Sequence, residues 1–219
     1  MAKCIPLGYT GVMDIILARH AETVFNAAAR MQGHMGHTPL TRTGIGQAEA
    51  MGAALAAALP GTPDRDLWVS PSGRTQQTAA IVGEHLGRSF FDWRQDTRLL
   101  EIDVGDWEGR YYADIVSESG PIVDTGVGLF SVAPPNGEWF PAIAARLADW
   151  LAGLDPARPV LAISHGITAR VLRGLLVGGT DWHGVKVAPN AAQGTVFHIR
   201  DGVEAVIHAG SGLHGVRAA

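Results

Sequence analysis

The chain has a single cysteine, Cys4, in 219 residues. One thiol excludes an internal disulfide and every zinc site built from several cysteines, so packing has to hold the fold. No apolar run approaches the roughly 18 residues that a membrane-spanning helix requires. The first strand is reached without the apolar block of a signal peptide, so no membrane association and a reducing cytoplasm are expected. Positive charge is scarce as well: 17 Lys and Arg stand against 21 Asp and Glu, a net charge of -4. That balance gives no broad basic field for a nucleic-acid backbone. No serine sits in a Gly-x-Ser-x-Gly elbow. No repeat, low-complexity tract or linker divides the chain, so residues 1–219 are expected to form one domain.

What is present is an ordinary globular composition, 47% hydrophobic and 17% charged, too apolar for disorder. A chain of this size can bury a core of its own. Asp14-Ile15-Ile16-Leu17-Ala18 and Val160-Leu161-Ala162-Ile163-Ser164 read as buried strands, and Leu67-Trp68-Val69-Ser70 as a third. Residues 41–59 read as a helix with Ile45, Ala48, Gly52, Leu55 and Leu59 inward, stopped by Pro60-Gly61. Residues 72–86 read as another, with Ala79, Val82 and Leu86 inward, and a third starts near 138 with Phe140, Ile143, Leu147, Trp150 and Leu154 on one face. Arg200-Asp201-Gly202 between two β-prone runs signals a hairpin. The expected fold is an α/β three-layer sandwich with a mostly parallel central sheet, one antiparallel edge strand and helices on both faces. Residues from about 110 to 137, with scattered glycines and Pro121, Pro134 and Pro135, show no sustained period and read as an irregular lid or cap.

In open α/β sheets ligands gather at the carboxyl ends of strands. Three of the strands end in reactive groups: Arg19 and His20, then Arg74 just past Ser70, then His165. Two guanidiniums can hold phosphoryl oxygens by paired, charge-assisted hydrogen bonds. A neutral imidazole is the best nucleophile in the set, so His20 is placed to attack phosphorus while Arg19, Arg74 and His165 offset charge on the equatorial oxygens. A lone strand-end histidine is more often structural; this company makes catalysis the better reading. His34 and His37 lack the further ligands that a metal site needs and are read as rim residues, so no metal is expected. Arg170 and Arg173 fall on the helix after Gly166, the first of them behind the site.

Arg19-His20-Ala21-Glu22-Thr23 with Asn26, then Gln32-Gly33, Thr38-Pro39-Leu40-Thr41, Ser70 through Ala79, Leu100-Glu101, Gly105-Asp106-Trp107-Glu108-Gly109 and Ser164-His165-Gly166 occur in order. Together they resemble the histidine phosphatase superfamily, also called the phosphoglycerate mutase-like family. The resemblance implies a nucleophilic His20, a phosphate pocket of Arg19, Arg74 and His165, and Glu101 as the acid that protonates the leaving oxygen. It adds Thr23, Asn26 and Gln32 along the phosphate or leaving-group side, and it implies no cofactor. Leu99, Leu100 and Ile102 beside Glu101 are expected to dry its surroundings and raise its pKa. The chain departs from the pattern at Ala21, where glycine is commonest, and at His37, where many members are acidic.

Tyr111 to Pro135 contains no Lys, Arg or His but carries Asp114, Glu118 and Asp124, and Arg110 alone stands at its edge. A second phosphate would be poorly served there, whereas Val127, Leu129, Phe130 and Val132 could cover an apolar or neutral leaving group. The favoured reading is metal-independent hydrolysis of a small-molecule phosphate ester through a phosphohistidine. Phosphoglycerate mutase-like transfer and an inactive phosphate-ligand-binding protein are the alternatives. A homo-oligomer is compatible with the sequence.

Overall fold

The computed structural model describes residues 13–59 and 64–212, so Cys4 and the Pro60-Gly61 stop lie outside the described residues. In chain order the elements are β1 (Asp14–Arg19), α1 (Val24–Ala27), α2 (Arg42–Ala58), β2 (Asp66–Val69), α3 (Gly73–His85), β3 (Arg94–Gln95), α4 (Tyr112–Ser119), β4 (Val123–Asp124) and β5 (Leu129–Phe130). There follow α5 (Phe140–Ala152), β6 (Val160–Ser164), α6 (Gly166–Val177), β7 (Thr180–Trp182), β8 (Val185–Val187), β9 (Val196–Arg200) and β10 (Val203–His208). Six strands form the central sheet in the order β10-β9-β1-β6-β2-β3. Pairings β1–β6, β6–β2 and β2–β3 are parallel, and β9 runs antiparallel to both of its neighbours. The antiparallel strand is therefore β9, one place in from the edge, because the Asp201-Gly202 turn brings β10 back outside it. Both turn residues have positive φ, 53° and 73°, as a two-residue hairpin turn of this hand requires.

The two-residue period of β1 and β6 divides the core into two layers. Ile15, Leu17, Val160 and Ala162 pack with Phe140, Ile143, Leu147 and Trp150 of α5 and with Val171 and Leu172 of α6. Ile16, Ala18, Leu161 and Ile163 pack with Met51 and Leu55 of α2 and with Ala79 and Val82 of α3. Burial on both faces is why these strands are apolar throughout. Ile45, expected inward, is 48% exposed. The buried stripe of α2 runs instead through Gly44, Ala48, Met51 and Leu55, because the helix start abuts Glu22 so closely that a Cβ on Gly44 would lie 2.0 Å from the Glu22 carbonyl oxygen.

The stretch expected to be irregular holds α4 and the antiparallel pair β4–β5. Only Ile115 of α4 is fully buried, so a single inward residue left no period to detect. The short pair β7–β8 also escaped the pattern; it braces this region through Trp182, whose indole N–H donates to the Phe130 carbonyl (3.2 Å). Among the described residues no helix is long and apolar enough to cross a membrane.

Candidate active site

Register alone brings the three reactive strand ends together. Arg19 is level with Ser164 and Val69 with Ile163, and the ladder continues past the strands through His20 N to Ser164 O (2.9 Å) and Ser70 N to Ile163 O (3.1 Å). His20 is buried at 3% exposure. Its Nδ1 lies 2.7 Å from the Ala21 carbonyl, an acceptor, so Nδ1 carries the proton and Nε2 keeps its lone pair. The His165 ring stands edge-on to it, 5.2 Å between centroids. His165 accepts from Arg74 Nε at Nδ1 (3.2 Å), so its Nε2–H donates to the Ser70 hydroxyl (2.7 Å). Burial, reinforced by Arg74 beside both rings, pushes both imidazoles well below their ordinary pKa, and both are neutral at pH 7.

The two arginines are held differently. Arg74 donates from Nη1 to the Met35 carbonyl (3.0 Å) and the Thr38 hydroxyl (3.2 Å), and from Nη2 to the Gly33 carbonyl (2.8 Å). Counting the bond to His165, one N–H remains on Nη2. Burial lowers its pKa to about 10, which leaves the guanidinium charged at neutral pH. Arg19 uses Nη1 on the Ala191 carbonyl, and its buried Nε–H has no partner. A buried donor left unpaired costs about 1–3 kcal/mol, and such a group calls for an acceptor that the protein does not supply. Gly166 makes room for this guanidinium: a Cβ there would lie 3.3 Å from the Arg19 Cζ.

Glu101 lies across the start of α6. Its Oε1 accepts from the backbone N–H of Ile102 (3.1 Å) and Thr168 (3.0 Å), and its Oε2 from that of Ile167 (3.1 Å). The expectation of a merely dry carboxyl is corrected: it meets the donor-rich, positive end of a helix, a tertiary partner that its sequence neighbours do not reveal. Oε1 also has the Thr168 hydroxyl at 3.2 Å, so Oε2 is the less crowded oxygen.

Arg19, His20, Arg74, Glu101, Asn26 and Gln32 share one solvent-open cleft. His165 and Thr23 do not line it. Thr23 is fully buried and caps α1; its hydroxyl accepts from Asn26 N (3.1 Å) and lies 2.8 Å from Gln32 Oε1, so it orients the two residues that do reach the cleft. Ala21 is fully buried and off the cleft wall, so its methyl takes no pocket space, and His37 is exposed outside it. Of the apolar cover expected from the excursion, Phe130 lines the cleft; Leu129 belongs to the core, Val127 packs against it, and Val132 is 47% exposed.

Sequence reasoning missed four contributors: Ser70 behind His165, Thr38 behind Arg74, and Arg30 and Tyr112 on the wall. Ser70 could have been found, since it stands at a strand end like the histidines. Arg170 was expected behind the site and lines it as well. Its Nε donates to the Ala188 carbonyl (2.8 Å), and Nη1 and Nη2 to those of Gly128 and Val127 (2.9 Å each).

A neutral imidazole with a bare Nε2, facing buried guanidinium donors at the ends of parallel strands, defines an α/β enzyme of phosphoryl chemistry. The family model of the histidine phosphatase superfamily (branch 1) matches residues 15–210, and the chain belongs to that superfamily. It is 35% identical over 172 residues, 76% of each chain, to a protein of Enterobacter sp. (strain 638) named "Probable phosphoglycerate mutase GpmB". It is 33% identical over 180 residues, 78% of this chain and 84% of the relative, to the adenosylcobalamin/alpha-ribazole phosphatase of Salmonella typhimurium. Among solved structures, mycobacterial glucosyl-3-phosphoglycerate phosphatase in complex with VO3 matches with a TM-score of 0.65 at 28% identity, covering 85% of this chain and 90% of that one.

Proposed function

We propose that the protein hydrolyses phosphate monoesters of small molecules through a phosphohistidine on His20. The observation that carries this reading is the pairing of a bare His20 Nε2 with the unpartnered, buried Nε–H of Arg19. In the first step Nε2 attacks phosphorus, the bond from phosphorus to the ester oxygen breaks, and a proton from Glu101 neutralises the departing alkoxide. In the second, Glu101 takes a proton from water, the oxygen attacks phosphorus, and the P–N bond breaks to release phosphate and restore His20. Arg19 and the remaining Arg74 N–H meet the equatorial oxygens in both steps. His165, with both ring nitrogens engaged by Ser70 and Arg74, is a positioning residue that aims Arg74. Asn26 and Gln32 border the leaving-group side.

The mutase reading rests on the names of several relatives. The charged side chains that line the cleft are four arginines and one glutamate, and the stretch from Tyr111 to Pro135 supplies no further cation for a second phosphate. The test is release of inorganic phosphate from phenyl phosphate without added metal, inhibition by vanadate, and trapping of an acid-labile phosphoryl group on His20. Full turnover by His20→Ala would overturn the mechanism. Interconversion of phosphoglycerates faster than phosphate release would favour the mutase.

A further inference from the structure

Tyr112 opens α4 on the cleft wall and has no task in the mechanism above. Tyr112, Ile115 and Val116 share one helical face, and all three pack on the core. The backbone N–H of Tyr112 donates to the Ala29 carbonyl (3.1 Å), so both its main chain and its ring are held. Its phenol O–H is not: among the described residues it has no hydrogen-bond partner. A tyrosine hydroxyl drawn into the protein usually finds one. The charges of Glu101 and Arg19 both act on this group. Burial first, and then the Glu101 charge, push the phenol well above its ordinary pKa, with Arg19 opposing them. Burial is the largest cause, so the phenol keeps its proton whichever state Glu101 is in.

An in-line displacement sends the leaving oxygen to the face of phosphorus opposite His20, where Glu101 has to stand as its acid. Glu101 reaches that oxygen through Oε2, because Oε1 is taken by the Ile102 and Thr168 N–H groups and the Thr168 hydroxyl. Arg19 and Arg74 serve the equatorial oxygens instead. A departing alkoxide gains charge before its proton arrives, and one carboxyl leaves most of its lone pairs unmet in a partly desolvated cleft. The Tyr112 phenol is a neutral O–H donor in the neighbourhood of Glu101, on the same wall.

We propose that Tyr112 is a further catalytic residue, whose phenolic O–H donates a hydrogen bond to the leaving oxygen as it departs. The assignment rests on the phosphatase reading for its chemistry. When the bond from phosphorus to the ester oxygen breaks, its electron pair goes to that oxygen and the Glu101 proton follows. Tyr112 keeps its own proton, and its hydrogen bond strengthens only while charge builds on the oxygen. The gain is greatest for an oxygen that leaves as a strong base, so Tyr112 extends the range of esters toward those of ordinary alcohols.

Benzyl, phenyl and 4-nitrophenyl phosphate place one aromatic ring on leaving oxygens of falling basicity. Tyr112→Phe keeps the packing of the side chain and removes only the donor. The kcat/KM for benzyl phosphate is expected to fall by about thirtyfold in this variant, the scale of one hydrogen bond to a charged group. That for 4-nitrophenyl phosphate, whose oxygen leaves without help, is expected to fall by about twofold or less, with phenyl phosphate in between. A residue that only shapes the wall, or one that meets the equatorial oxygens, would lower all three alike. An equal fall for the three esters, or no fall for benzyl phosphate, would overturn the assignment and leave the phosphatase reading in place. Absence of phosphate release from any of the three by the wild-type protein would sink that reading and the assignment with it.

Discussion

The floor and the wall of the cleft are built on different principles. The floor consists of Arg19, His20 and Arg74, with Ser70 and His165 behind them, each less than a tenth exposed and placed by the register of three parallel strands. The wall, from residues 25–33, 112–130 and 188–193, belongs to short elements tied together by arginine contacts to backbone carbonyls. A strand end in a twisted, doubly covered sheet cannot shift without disturbing the core, whereas a loop hung on three carbonyl bonds can. On the proposed reading the reaction is set in the rigid part and the choice of ester in the adjustable part.

The sharpest way to break this comparison is Arg74→Met. It takes donors from two backbone carbonyls, a hydroxyl and His165 at once. We expect kcat/KM on phenyl phosphate to fall by about a thousandfold and the unfolding free energy in urea to fall by about 3 kcal/mol or more. Unchanged stability would show that the floor is not a structural unit.

Acid should come next. The unfolded chain has imidazoles with an ordinary pKa of 6.5, and His20 and His165 are held well below it by burial. Above that pH both states are neutral at these groups and their contribution is full. As the pH falls below 6.5 the unfolded chain takes up protons that the native site refuses. Stability is then lost by up to about 1.4 kcal/mol per pH unit for each imidazole, until the folded values are reached. Urea melts of the wild type and of His165→Gln at pH 7.5 and 5.5 measure this, and equal slopes for the two proteins would mean that His165 is not kept neutral by the fold.

A wall substitution should act more mildly. Arg170→Met releases the part-buried carbonyls of Val127 and Gly128 and the buried one of Ala188. We expect KM for bulky esters to rise about tenfold with a smaller change in kcat, and faster amide exchange in residues 122–131. Exchange rates that do not change would remove Arg170 as the tie between wall and floor. The smallest effect falls to Ser70→Ala, which takes away the acceptor of His165 Nε2–H. A loss of about fivefold in kcat is expected, and Ser70→Thr should recover most of it; a loss equal to that of Arg74→Met would give Ser70 more than an orienting role.

The floor was legible because its signals are local and one-dimensional. Apolar runs of three or four residues mark buried strands, and the residue that follows each run lies at a strand end whatever the remainder of the chain does. That logic reaches His20 and His165, extends to Ser70, and with the helix period places Arg74 at the second residue of α3. Glu101 needed the family resemblance, since its partners at the start of α6 are more than sixty residues away. The wall was not legible: α4 has one buried residue, β4 and β5 have two residues each, and Arg30 is recognisable only beside Phe25 and Tyr111.

The sequence by itself therefore determined the α/β layering, the three strand ends and the phosphoryl-handling groups that they carry, since side-chain period and strand direction are properties of a short stretch of chain. Only the tertiary structure decided which imidazole nitrogen is bare, which guanidinium is left without an acceptor and where the free phenol of Tyr112 stands. Those depend on hydrogen bonds between segments far apart in the chain, and a donor is free or taken only once the acceptors around it are known.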